Sequence, residues 1–186
     1  MRIISGLFKG KKIFLPSDRN TRPLKDLVKE SIFNLIHHSH KINVDIKGWS
    51  ILDLFCGSGS FGIECLSRGA KKVFFLENYS VALKVLEKNL RTLKNINNYE
   101  VIKSDCFSYF NSNIKINSKF DIIFIDPPYK ELKINEIIEK IVEKNLLTKK
   151  GVLIIHRHKK DTITLTEKIN IFEERSYGIS KIYFCN

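Results

Sequence analysis

Ile51-Leu52-Asp53-Leu54-Phe55-Cys56-Gly57-Ser58-Gly59-Ser60-Phe61-Gly62 decides how this chain is read. An apolar run carrying one acid breaks into glycines and serines, and an amphipathic segment follows. That is the pattern of a buried strand turning sharply into a helix. The glycines let main chain approach a ligand and let the helix pack closely on a sheet. Such a pattern alone suits any strand-to-helix turn. Here, however, Glu77 ends the next apolar run, at 73–76, where a carboxylate can accept both hydroxyls of a ribose. The unit reads as a site for an adenosine-containing cofactor, either a nicotinamide dinucleotide or S-adenosylmethionine.

Outward from this unit, short apolar runs at 51–55, 73–76, 99–103, 120–125 and 151–156 alternate with helical patterns at 62–68, 80–93 and 132–145. Leu83, Leu86, Leu90 and Leu93 predict the buried stripe of the second helix. Alternating strand and helix implies a mostly parallel sheet covered on both faces. The tail differs, with strand-like runs at 169–175 and 181–185 around Tyr177-Gly178, the pattern of an antiparallel hairpin. Upstream, residues 2–5 and 11–15 read as a short hairpin, and Leu24, Leu27, Val28, Ser31, Ile32, Leu35 and Ile36 recur at helical spacing after Thr21-Arg22-Pro23. The chain thus divides into a hairpin-helix extension over 1–47 and an α/β domain over 48–186.

Asp126-Pro127-Pro128-Tyr129 follows the run at 120–125 and favours S-adenosylmethionine. Asp-Pro by itself is a stiff turn. Two prolines and an aromatic ring past a buried strand offer more. A carboxylate and a rigid carbonyl can accept both N–H bonds of a planar exocyclic amine, whose delocalised lone pair is a poor nucleophile. The ring can stack on the base that carries the amine. Ser104-Asp105-Cys106, after the run at 99–103, places an acid where it can accept an adenine amino group; otherwise it is a solvated loop acid.

Composition narrows the partners. The 186 residues are 43% hydrophobic and 28% charged, as expected of a folded globular chain. No apolar run approaches the roughly 18 residues of a membrane span. Cys56, Cys65, Cys106 and Cys185 have no paired spacing, so neither a disulfide framework nor a zinc site is indicated, and the chain reads as cytoplasmic. Lys and Arg total 32 against 20 Asp and Glu, a net charge of +12. Lysine outnumbers arginine 25 to 7 beside 27 Ile and 15 Asn, a bias that A·T-rich coding alone can produce. Placement is the better clue: residues 1–50 hold ten basic and four acidic residues. Lys9, Lys11, Lys12 and Arg22 are the residues expected on nucleic-acid phosphates. His37, His38 and His40 fall at a helix end, where they suit the helix dipole better than a metal. Cys56 reads as a packed thiol and Lys159-Lys160 as a solvated turn.

Taken in order, the glycine-rich stretch at 53–62, Glu77, Asp105 and the motif at 126–129 resemble the class I S-adenosylmethionine-dependent methyltransferases. More narrowly, the whole chain resembles the RsmD family of bacterial 16S rRNA (guanine-N2) methyltransferases. Arg2-Ile3-Ile4-Ser5-Gly6, Lys9-Gly10-Lys11-Lys12, Thr21-Arg22-Pro23, Lys29-Glu30-Ser31-Ile32-Phe33-Asn34, Leu66-Ser67-Arg68-Gly69-Ala70 and Tyr177-Gly178 carry that likeness. The resemblance implies a Rossmann-like, seven-stranded sheet, with cofactor on Asp53, Phe55, Gly57, Ser58, Gly59, Glu77 and Asp105. Catalysis falls to Asp126, Pro127, Pro128 and Tyr129 without a metal, and the substrate is 16S rRNA within the small ribosomal subunit or its precursor. A monomer is expected. The competing expectations are amino-methylation of DNA or a protein glutamine, and a non-catalytic RNA-binding assembly factor. Two positions depart from the family pattern: Leu27 stands where Arg is usual, and His156 where Glu is usual.

Overall fold

The computed structural model describes residues 1–18, 24–38, 42, 46–112, 118–128, 130–161, 163 and 169–186. Arg22 and Tyr129 lie outside them, as do Thr21, Pro23 and His40. Seven strands form one sheet in the order β3-β2-β1-β4-β5-β7-β6. They are β1 (Ser50–Leu54), β2 (Lys72–Glu77), β3 (Tyr99–Lys103), β4 (Phe120–Ile125), β5 (Leu147–His158), β6 (Ile171–Tyr177) and β7 (Ser180–Cys185). The first five run parallel, while β7 lies antiparallel between β5 and β6. This is the mostly parallel sheet with a closing antiparallel hairpin that the alternation predicts. The β5 strand extends four residues further back than its apolar run, through the exposed Lys149 and Lys150.

Side chains alternate across the sheet, and the two faces carry different helices. One face presents Ile51, Ile122, Phe124, Val152 and Ile154 to α1 (Asp26–His38), α2 (Ser60–Ser67) and α3 (Ser80–Thr92). The other presents Leu52, Leu54, Ile123, Ile125, Leu153 and Ile155 to α4 (Cys106–Asn111) and α5 (Ile134–Glu143). Ile134, Ile137, Ile138 and Ile141 give α5 its buried stripe at helical spacing. The stripe of α3 differs from expectation: Leu86 and Leu90 are buried with Ala82 and Asn89, whereas Leu83 is only half-buried. The helix α4 is an element that the sequence pattern did not predict. Six residues carry too little periodicity to register, and the signal was the N-cap, where Asp105 accepts from the Ser108 N–H at 2.9 Å.

Residues 1–18 form the expected hairpin, reduced to a single antiparallel bridge between Arg2 and Lys12. Its buried residues Ile3 and Ile13 share one core with α1 and the sheet. Phe33 of α1 stacks on Phe61 of α2 at 5.2 Å, and Phe61 on Phe124 of β4 at 4.1 Å. The chain crosses α2 at Gly6, where φ is +81° and an added Cβ would fall 1.9 Å from the Ser67 carbonyl oxygen, so only glycine fits. Glu64, fully buried on α2, accepts the Ile4 and Ser5 N–H groups at 2.7 and 2.9 Å. It also faces Arg68 at 3.0 Å and the fully buried Lys29 at 3.7 Å, and Lys29 Nζ donates to the Arg2 carbonyl at 2.9 Å. Burial lowers the Lys29 pKa, and the Glu64 charge works in the opposite direction. Among the described residues, no helix is long and apolar enough to cross a membrane.

Candidate active site

In an open parallel sheet, ligands bind outside the carboxyl ends of the strands where the strand order reverses. Here that point lies between β1 and β4, neighbours that connect to opposite sides of the sheet. Asp53, one residue before the end of β1, is buried and accepts the Gly62 N–H at 2.9 Å. This bond draws α2 back onto the strand and leaves the intervening segment to arch outward. Phe55, Gly57 and Gly59 all take positive φ in that arch, at 56°, 56° and 79°. Such values strain Phe55, and the strain is held by the bonds on either side of it. At Gly62 an added Cβ would sit 2.3 Å from the Phe75 ring, so the last glycine of the motif serves helix packing.

Glu77 ends β2 beside the arch. One carboxylate oxygen accepts the Gly57 N–H at 2.8 Å, and the other accepts the Asn78 and Tyr79 N–H groups at 3.0 and 2.9 Å. Asp105 spends one oxygen on its cap, and the other accepts from the Asn78 side chain at 3.3 Å. The acids expected at the cofactor are therefore neighbours along the ends of β2 and β3. An open cleft of about 430 Å³, solvent included, lies between the arch and β4; Phe55, Gly57, Ser58 and Asp126 line it with Asp53. Carboxylates crowd this region. Burial pushes the Asp53 carboxyl well above its ordinary range, and the charges of Asp126 and Glu77 add to the effect. The Cys56 thiol is pushed up mainly by burial, in keeping with a packed residue and not a nucleophile.

Asp126 continues β4, and Pro127 is buried while Pro128 is exposed. One Asp126 oxygen lies 2.7 Å from Nδ1 of His156, so the residue that departs from the family pattern touches the motif itself. The other departure, Leu27, points outward from α1 with 68% of its surface exposed.

Several site residues were not legible in the sequence. Leu15, Pro16 and Leu24 close the cleft opposite the sheet, brought there by the N-terminal segment. Asn89 holds that wall: it accepts the Phe14 N–H at 2.8 Å and donates to the Phe14 and Ser58 carbonyls at 3.0 and 2.9 Å. A lone amide on the buried face of α3 was the available signal. The basic residues divide. Lys9 and Lys12 are exposed, but Lys11 donates to the Thr92 carbonyl at the end of α3. Lys88, which the charge argument did not single out, sits with Lys12 at the Phe14 ring, beside the cleft wall. His37 and His38 are exposed in the last turn of α1. Among the described residues, no three His, Cys, Asp or Glu side chains gather as a ligand set for a metal.

The family model described as Conserved hypothetical protein 95 matches residues 1–186. Ribosomal RNA small subunit methyltransferase D of Haemophilus influenzae is 34% identical over 96% of this chain and 90% of its own length. YlbH of Bacillus subtilis is 34% identical over 98% of this chain and 96% of its own. The solved structure of yhhF from Escherichia coli superposes with a TM-score of 0.84 at 26% identity, covering 100% of this chain and 96% of the other. Matching the family model along its whole length, and a small-subunit rRNA methyltransferase D over nearly all of it, the chain belongs to the RsmD family of methyltransferases.

Proposed function

We propose that this protein transfers a methyl group from S-adenosylmethionine to N2 of a guanine in 16S rRNA, in the small ribosomal subunit or its precursor in the cytoplasm. The observation that carries the reading is the single cleft lined by both the Phe55–Ser58 arch and Asp126. One space thereby joins the glycine arch to the acid assigned to the amine, while Glu77 and Asp105 lie outside its lining. The residues present suit the cofactor. Glu77 keeps a lone pair for a ribose hydroxyl on the oxygen that accepts from Gly57, Asp105 is the acid assigned to the adenine amino group, and the arch offers main chain without a side chain at Gly57. Bound there, S-adenosylmethionine supplies an already activated sulfonium methyl group.

The protein's part is alignment. Asp126 and the Pro127 carbonyl accept the two N–H bonds of the guanine amine, and Tyr129 stacks on the base. The amine nitrogen is thereby biased toward tetrahedral geometry and attacks the methyl carbon. As the new C–N bond forms, the C–S bond breaks with its electron pair on sulfur, and the nitrogen then loses its proton. Mass mapping of methylated guanines in small-subunit rRNA, from cells with and without the protein, tests the assignment. The same set of N2-methylated guanines with and without the protein would refute it.

Two further results are expected. Glu77→Gln removes one acceptor from the ribose while keeping the side chain's shape. It should weaken S-adenosylmethionine binding by about 1.5–3 kcal/mol, the range for hydrogen bonds to charged groups. Titration calorimetry reads this directly, and unchanged affinity in folded protein would leave Glu77 with the loop bonds alone. On the RNA side, Lys9, Lys12 and Lys88 should contact phosphates at the cleft rim. Alanine at each should flatten the dependence of log affinity for subunits on log salt by about 0.7–0.9 per lost contact. Lys11→Ala should act on stability instead, through the Thr92 carbonyl. An unchanged salt slope in the Lys9/Lys12/Lys88 triple variant would place the RNA elsewhere.

A further inference from the structure

The parallel register of β4 and β5 pairs Ile125 with Ile155, so Asp126 and His156 are the next residues on each strand. By alternation both project from the face that carries Asp53 and Phe124. His156 is fixed on its other side by β7, where it pairs with Ile182. The His156 side chain is only 2% exposed and that of Asp126 20% exposed, with 2.7 Å between Nδ1 and the near carboxylate oxygen. A carboxylate has no proton to give, so at this distance Nδ1 carries the hydrogen and donates it. Asp126 lines the cleft, whereas buried His156 is not among its described lining residues and touches Asp126 from behind.

We propose that His156 is a positioning residue for methyl transfer: its Nδ1–H holds one oxygen of Asp126 so that the other faces the amine. The inference rests on the reading of Asp126 as amine acceptor. The torsion that aims a carboxylate is broad and nearly two-fold, so a carboxylate at an open cleft samples many orientations. A bond to a buried ring, carried on a strand paired on both sides, removes that freedom before substrate arrives. The next residue serves the same segment from the other face, as Arg157 Nη2 donates to the Glu131 carbonyl at 2.9 Å. The end of β5 therefore holds both Asp126 and Glu131.

Four variants test this: His156→Leu, His156→Asn, His156→Gln and Asp126→Asn. Asparagine places its amide nitrogen near the position of Nδ1, whereas glutamine reaches toward that of Nε2. Single-turnover methylation of small subunits should fall by about 10- to 100-fold in the Leu and Gln variants, the scale of misplacing a reacting group by roughly 1 Å. His156→Asn should stay within about fivefold of the parent. S-adenosylmethionine affinity should be unchanged in all four. In an Asp126→Asn background, His156→Leu should cost little further rate, because the group that His156 aims is then an amide NH₂ that cannot accept the amine's N–H. If the Leu variant fails to fold, the Asn–Gln contrast carries the test. Equal rates for Asn and Gln, or a parental rate for His156→Leu while Asp126→Asn is impaired, would overturn the role of His156 and leave the proposed function standing. A parental rate for Asp126→Asn would overturn both.

Discussion

Asp126→Ala should lower kcat for methylation of small subunits by about 10²-fold or more, the loss seen when a preorganised electrostatic group is removed from a transition state. Binding should change far less. The amine is held by several contacts in the ground state, but the pull on its N–H bonds matters most as the nitrogen becomes tetrahedral and positive, so kcat and kcat/KM should fall together. Alanine also takes the acceptor away from His156 Nδ1, which is buried, and so costs stability at the site. Asp126→Asn is the sharper variant. Its amide oxygen can still accept from His156 while its NH₂ group faces the amine, so it should keep the parental melting temperature and lose the rate. Near-full methylation by either folded variant would mean that the amine pocket lies elsewhere.

Glu64→Ala should destabilise the fold by about 3–5 kcal/mol, the range for removing one partner of a buried ion pair. Three donors converge on this carboxylate, the Ile4 and Ser5 N–H groups and Arg68, and the Lys29 ammonium pairs with it at 3.7 Å. Alanine strands the Lys29 ammonium in a core where burial already lowers its pKa, and Glu64 is the largest influence acting against that burial. The midpoint of urea unfolding should drop without a change in slope if the structure still unfolds as one unit. Adding Lys29→Met should restore part of the loss, since an apolar side chain in that space carries no charge to strand. Two main-chain N–H groups would still lack their acceptor, so recovery should be incomplete. A loss below about 1 kcal/mol in Glu64→Ala would show that hydrophobic packing alone seats the N-terminal segment.

Much of this protein was legible from neighbouring residues. Strand and helix positions follow from periodicities within a few residues, and the glycine arch and the Asp126-Pro127-Pro128 turn are local rules of φ and sterics. A strand's end is where the fold must place a ligand, so Asp53, Glu77 and Asp126 were nameable from sequence order. What the tertiary structure decided was which distant groups meet. His156 reaches Asp126 only through the register of β4 on β5. Asn89 meets Phe14 across 75 residues because the N-terminal hairpin packs over α3. Glu64 collects donors from residues 4 and 5, 60 and 59 positions away. Lys11 looks like any surface lysine of a basic run until the fold sets the end of α3 beside it. Periodicity records which face of an element is apolar, since burial is a one-body preference of each side chain. A hydrogen bond between elements is a two-body event, decided by strand register and helix packing that no single segment encodes.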